Sequence, residues 1–75
     1  MSENELLYKG YVIVATPALR HDVWETSGHI QKAGDPLAPR IFFLASDTFF
    51  TKEGAIKAAI NEGKQIIDRE FEGLE

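Results

Sequence analysis

Thr51-Lys52-Glu53-Gly54-Ala55-Ile56-Lys57-Ala58-Ala59-Ile60-Asn61-Glu62-Gly63-Lys64-Gln65-Ile66-Ile67-Asp68-Arg69-Glu70-Phe71 is the stretch that decides the fold. Apolar or small residues recur at Ile56, Ala59, Ile60, Gly63, Ile67 and Phe71, and those steps of three and four make one stripe on an α-helix. Lys57, Asn61, Glu62, Lys64, Gln65, Asp68 and Arg69 fill the rest of the surface. Thr51 reads as the N-cap, and Glu53 suits the positive end of the helix dipole. A full capping box wants Glu or Gln at position 54, which is Gly54, so the cap is partial. Gly63 lies in the apolar stripe and costs about 1 kcal/mol of helix propensity relative to Ala, a cost that close approach to a neighbouring layer would offset. Gly73 is a suitable stop, giving a helix from about Lys52 to Phe71, roughly 30 Å long.

A one-sided helix needs an apolar sheet, and the upstream sequence supplies one. Tyr8-Lys9-Gly10-Tyr11-Val12-Ile13-Val14-Ala15 is rich in β-branched and aromatic residues and reads as a first strand, ended by Pro17. Thr16 to Asp22 reads as a loop. Val23 to Lys32 reads as a second strand whose Trp24 and Ile30 mark the core face, with Thr26 and Gly28 between them. Two prolines and a glycine between Ala33 and Pro39 make a loop. Arg40 to Ala45 is the third strand, in which Ile41, Phe42, Phe43 and Leu44 do not alternate. Such a strand is either central with both faces covered or has one face open to a partner. Ser46-Asp47-Thr48 then reads as a turn before the helix. The expectation is an α+β fold: a three-stranded antiparallel meander with one C-terminal helix packed on one face. Residues 1–6 are expected to be a flexible lead and residues 7–72 a β-β-β-α core, in one domain over 1–75.

The chain has 75 residues, 8 basic against 12 acidic, for a net charge of −4. A domain this small buries only ~60% of its unfolded surface, which leaves little room for a deep catalytic cavity. The chain has no cysteine, which excludes disulfides, thiolate metal sites and cysteine nucleophiles and suits a reducing cytoplasm. The acidic start Met1-Ser2-Glu3-Asn4-Glu5 is not a signal peptide, and the runs Tyr11–Ala15 and Ile41–Ala45 are too short to span a bilayer.

The residues that could carry chemistry have simpler structural readings. His21 and His29, with Asp22 or Glu25, lack the tight spacing of a cysteine-free zinc motif, so no metal is expected. The pair Asp68 and Glu72 falls near the polar helix face, where a raised pKa is not expected, and Glu53 with Lys57 is an ordinary helical ion pair. No catalytic residue and no cofactor is expected. Lys9, Arg20, Lys32, Arg40, Lys52, Lys57, Lys64 and Arg69 are scattered, and on an acidic chain they argue against nucleic-acid binding. Apolar surface, by contrast, is in surplus, because one helix covers one face. The candidate interaction surface is Val12, Val14, Ile41 and Phe43, for a protein partner or a homodimer, unless Leu6-Leu7 or the Pro36–Pro39 loop folds over it.

Tyr8-Lys9-Gly10-Tyr11, Trp24, Phe50-Thr51-Lys52-Glu53-Gly54-Ala55 and Ile67-Asp68 carry a resemblance. The chain resembles a group of short bacterial proteins without an assigned activity and, more distantly, the haemolysin transcriptional activator family. The resemblance covers about Tyr8 to Arg69 and implies a three-stranded sheet with a C-terminal helix. Gly54 departs from it, since the group often has a second acidic residue there. These motifs carry no catalytic residue. The functional expectation is a cytoplasmic, non-catalytic interaction module working through its sheet surface or self-association, with a regulatory protein that contacts nucleic acid or a transcription factor as the alternative.

Overall fold

The computed structural model describes residues 3–71. Its elements in chain order are β1 (Glu5–Tyr8), β2 (Tyr11–Ala15), β3 (Ala18–Arg20), β4 (Val23–Lys32), β5 (Ile41–Phe49) and α1 (Lys52–Ile66), which runs on as a π-helical turn over Ile67–Phe71. Every strand pairing is antiparallel. The expected meander is present as β2-β4-β5, but the sheet has five strands rather than three.

Two tight turns account for the difference. Lys9 and Gly10, at φ 50° and 85°, join Tyr8 to Tyr11, which pair directly. His21 and Asp22, at φ 51° and 66°, join Arg20 to Val23 in the same way. Positive φ at both central residues is what a two-residue hairpin turn requires if its twist is to match that of the strands. The stretch Tyr8–Ala15 is therefore a hairpin, not one strand. The lead expected over residues 1–6 contains the start of β1, and the loop expected over Thr16–Asp22 contains β3. Pro17 interrupts pairing only briefly: β2 pairs with Gly28–Lys32 and β3 with Val23–Glu25, end to end along one edge of β4.

β5 takes the other edge of β4, from Trp24 to Ile30. It extends past the expected end at Ala45. Ser46 and Asp47 bulge out where the register shifts between Glu25 and Thr26, and pairing resumes at Thr48 and Phe49. These residues are strand rather than the expected turn.

α1 packs on the face that carries Ile13, Ala15, Thr26 and Ile30, all fully buried, and contributes Ala55, Ile56, Ala59 and Ile66, with Ile67 from the turn beyond. Thr51 caps the helix as expected: its Oγ1 accepts from the Gly54 N–H at 3.1 Å. Trp24 is half-buried, with Lys52 Nζ 5.9 Å from its ring centre. At Gly63 the helix comes so close to β2 that a Cβ there would lie 2.5 Å from Ile13 Cγ2. Just beyond, the Asp68 carboxylate accepts from the Tyr8 hydroxyl at 3.0 Å and from Lys9 Nζ at 2.7 Å. The Lys9 hydrogen bond, more than that of Tyr8, holds the Asp68 carboxyl below its ordinary range. Glu72, Gly73 and the side chain of Phe71 lie outside the described residues, and with them the Asp68–Glu72 pair and the helix stop.

Two substitutions test this packing. Gly63→Ala gains about 1 kcal/mol of helix propensity but drives a methyl into Ile13, an overpacking cost of about 1–3 kcal/mol. A net loss is expected, read as a lower urea midpoint; a rise would mean that the helix does not sit on Ile13. Thr26 Oγ1 is fully buried and has no hydrogen-bond partner among the described residues. An unpaired buried hydroxyl costs about 1–3 kcal/mol, so Thr26→Val is expected to stabilise by about 1 kcal/mol and raise Tm by about 4–8 °C in thermal melts.

Candidate functional site

Antiparallel partners share a face of the sheet, so the register shows what stands on the side away from α1. One row runs Glu5, Val14, His29, Phe42, and the next runs Leu7, Val12, Gln31. Ser27 and Leu44 stand on the other side of the first row. This is the open face of the sheet. Among the described residues no helix lies over it, and Leu6-Leu7 does not fold across it, because both residues belong to β1.

Of the four residues expected to form an interaction surface, Val12 and Val14 are here, each half-buried. Ile41 and Phe43 are not. Ile41 pairs with Ile30 on the helix side, and Phe43 packs against the core clusters around Ile13 and Ile56. The β5 residues on the open face are Phe42, 72% exposed, and Leu44, 68% exposed; Leu7 joins them from β1 at 54%. In an unbroken apolar run the parity is ambiguous, but Gly28 carries the signal that resolves it. A Cβ at Gly28 would lie 2.8 Å from the Phe43 ring, so the glycine makes room for Phe43 beneath the helix and sends Phe42 outward.

A shallow groove of about 550 Å³ crosses the open face, lined among others by Glu5, Val12, Val14, His29, Gln31 and Arg40. The Gln31 amide donates to the Ala38 carbonyl at 2.9 Å and so fastens the loop that precedes β5. The rings of His29 and Phe42 are 5.5 Å apart and tilted by 57°. Partial burial, and then the Arg40 charge, push the His29 pKa below its ordinary 6.5, while Glu5 pulls the other way. At neutral pH His29 is thus an uncharged ring with one donor and one acceptor. Arg20 is engaged by Glu25 at 3.6 Å. His21 sits at the tip of the β3–β4 turn, and the described residues contain no group of three or more His, Asp or Glu able to hold a metal ion. The face offers an aromatic ring, aliphatic side chains, an imidazole and a guanidinium: groups that stack and pack.

A family model described as transcriptional activator HlyU matches residues 1–74. No curated protein and no solved structure matches the chain. The family description overturns the expectation against a nucleic-acid partner. The spread of basic residues along the chain measures phosphate attraction alone, and groups able to stack on a base do not enter it.

The electrostatics of the groove can be read directly. Unfolded, His29 titrates near 6.5; folded, it titrates lower. Below about 6.5 the unfolded chain therefore binds more protons, and the stability that His29 contributes is complete above that value and lost as pH falls toward the folded midpoint. In an NMR titration of the imidazole, Arg40→Ala is expected to raise the midpoint and Glu5→Gln to lower it. A His29 that titrates above 6.5 would contradict this arrangement.

Proposed function

We propose that the chain, which belongs to the family of transcriptional activator HlyU, regulates transcription by contacting nucleic acid through the open face of its sheet. The observation that carries this reading is Phe42, an exposed aromatic ring on a strand, beside the neutral ring of His29 and near the Arg40 cation. Aromatic side chains on an open sheet stack unpaired bases, and stacking tolerates any base because each has a π-face. Val12 and Val14 form the apolar floor beside that platform. Among the described residues there is one α-helix, so there is no helix pair to set a recognition helix in a major groove. With a net charge of −4 and few cations on the face, binding draws on stacking more than on phosphate attraction. Single strands are then preferred over duplex, with a shallow salt dependence. A regulator of a bacterial chromosome works in the cytoplasm, and no described helix is long and apolar enough to cross a membrane.

A second reading has its own observation. Leu7, Val12, Val14 and Leu44 are aliphatic, and an aliphatic surface suits a protein of the transcription machinery better than a base.

Fluorescence anisotropy with labelled single-stranded and duplex oligonucleotides separates the two. The single strand is expected to bind more tightly, and Phe42→Ala to cost roughly 1–3 kcal/mol of affinity for each base it stacks. Absence of binding to either form at high micromolar protein would sink the nucleic-acid reading. Capture of a transcription factor that is lost in Val12→Lys would then favour the second.

A further inference from the structure

We infer that β5 pairs edge to edge with β5 of a second copy of this chain. The run Ile41-Phe42-Phe43-Leu44-Ala45 has the composition of a central strand, apolar toward both faces of the sheet. In the single chain β5 does not hold that position. β4 takes one of its edges, and among the described residues no strand takes the other. Edge strands are usually kept from pairing by lysine, by proline or by a bulge along the exposed edge. β5 contains neither lysine nor proline, and its bulge and its one charge, Asp47, lie past Ala45. Its first five residues therefore form a long, uncharged and unprotected edge. A second copy makes the strand central and accounts for its composition.

The sequence of the strand is complementary to itself in one register. A two-fold axis at Phe43 sets Phe42 opposite Leu44 of the second copy, twice, on the open face. On the helix face it sets Ile41 opposite Ala45 of the second copy, a large residue against a small one, also twice. Phe42, Leu44 and Ile41 are 72%, 68% and 39% exposed in the single chain, so each has apolar surface that the second copy would cover. The same register brings Arg40 to the Ser46-Asp47 bulge of the second copy, a cation beside a carboxylate. The contact is isologous and closes on itself, so it yields a dimer with a sheet of ten strands rather than a fibre. It also places the two Phe42–His29 platforms side by side across the axis.

Sedimentation equilibrium with charge-swapped variants tests the edge and the register together. Wild-type protein is expected to be dimeric at high micromolar concentration. The double variant Phe42→Lys with Leu44→Lys sets like charges directly opposite each other twice, and so does Phe42→Glu with Leu44→Glu; in each alone the dissociation constant is expected to rise about tenfold or more. An equimolar mixture of the two is expected to regain the dimer, because lysine then faces glutamate at every pair. Both positions are exposed, so circular dichroism should match wild type and show that the monomer is folded. Leu7→Lys, on the same face but on β1, is expected to leave the dimer intact. A wild-type protein that is monomeric at millimolar concentration would overturn the inference. So would a charge-swapped mixture that stays monomeric, or a dimer that Leu7→Lys dissociates, since the last would mean face-to-face stacking.

Discussion

The contact between Gly63 and Ile13 sets the distance between the two layers of this protein. With no side chain at Gly63, the helix backbone rests directly on the methyl groups of a fully buried strand residue. That closeness lets small residues, Ala15, Ala55 and Ala59, complete the core between helix and sheet. It also means that the single helix is committed to one face of the sheet. No second helix among the described residues covers the other face, and the exposure of Leu7, Phe42 and Leu44 follows from that limit.

The helix was legible in the sequence because three independent signals agree: the apolar stripe, the Thr51 cap and the small residue at Gly63. The three long strands were legible from β-branched and aromatic runs. β1 and β3 were not, because each is short and sits behind a two-residue turn whose sequence, Lys9-Gly10 or His21-Asp22, is weaker than the Asn-Gly signature of such turns. Pro17 hides β3, because a proline without an N–H signals the end of pairing, whereas here the pairing with β4 breaks only between Ala15 and Ala18. At the open face, neither Val12-Ile13-Val14 in β2 nor Ile41–Leu44 in β5 shows a period, because both runs are apolar toward both faces. The deciding residue was on the neighbouring strand, where Gly28 admits Phe43.

Most residues in the motifs behind the resemblance to the haemolysin activator family are parts of the scaffold, although Phe50 is 88% exposed. Tyr8 and Lys9 hold Asp68, Lys9-Gly10 forms a turn, Ile67 lies in the core and Thr51 caps the helix. Even the departure at Gly54 has a place, since a Cβ there would lie 3.1 Å from the Phe49 ring. None of these residues is on the open face. In this chain the family pattern builds the platform, while the side chains that would recognise a ligand stand on the alternate positions of the same strands.

The bond between Tyr8, Lys9 and Asp68 has a consequence for the order in which the chain folds. β1 to β2 and β3 to β4 are hairpins closed by two residues, and each can form with a small loss of loop entropy. Asp68 and Tyr8 are separated by 60 positions, so their bond forms only once the meander is in place and α1 has docked. In the reverse direction, the last helical turn can release from the β1–β2 turn while the remaining strand ladders stay paired. The corner where Lys9 meets Asp68 is thus the natural starting point for local unfolding, and amide exchange there reports on a different, smaller opening than exchange at Ile13 or Ile30.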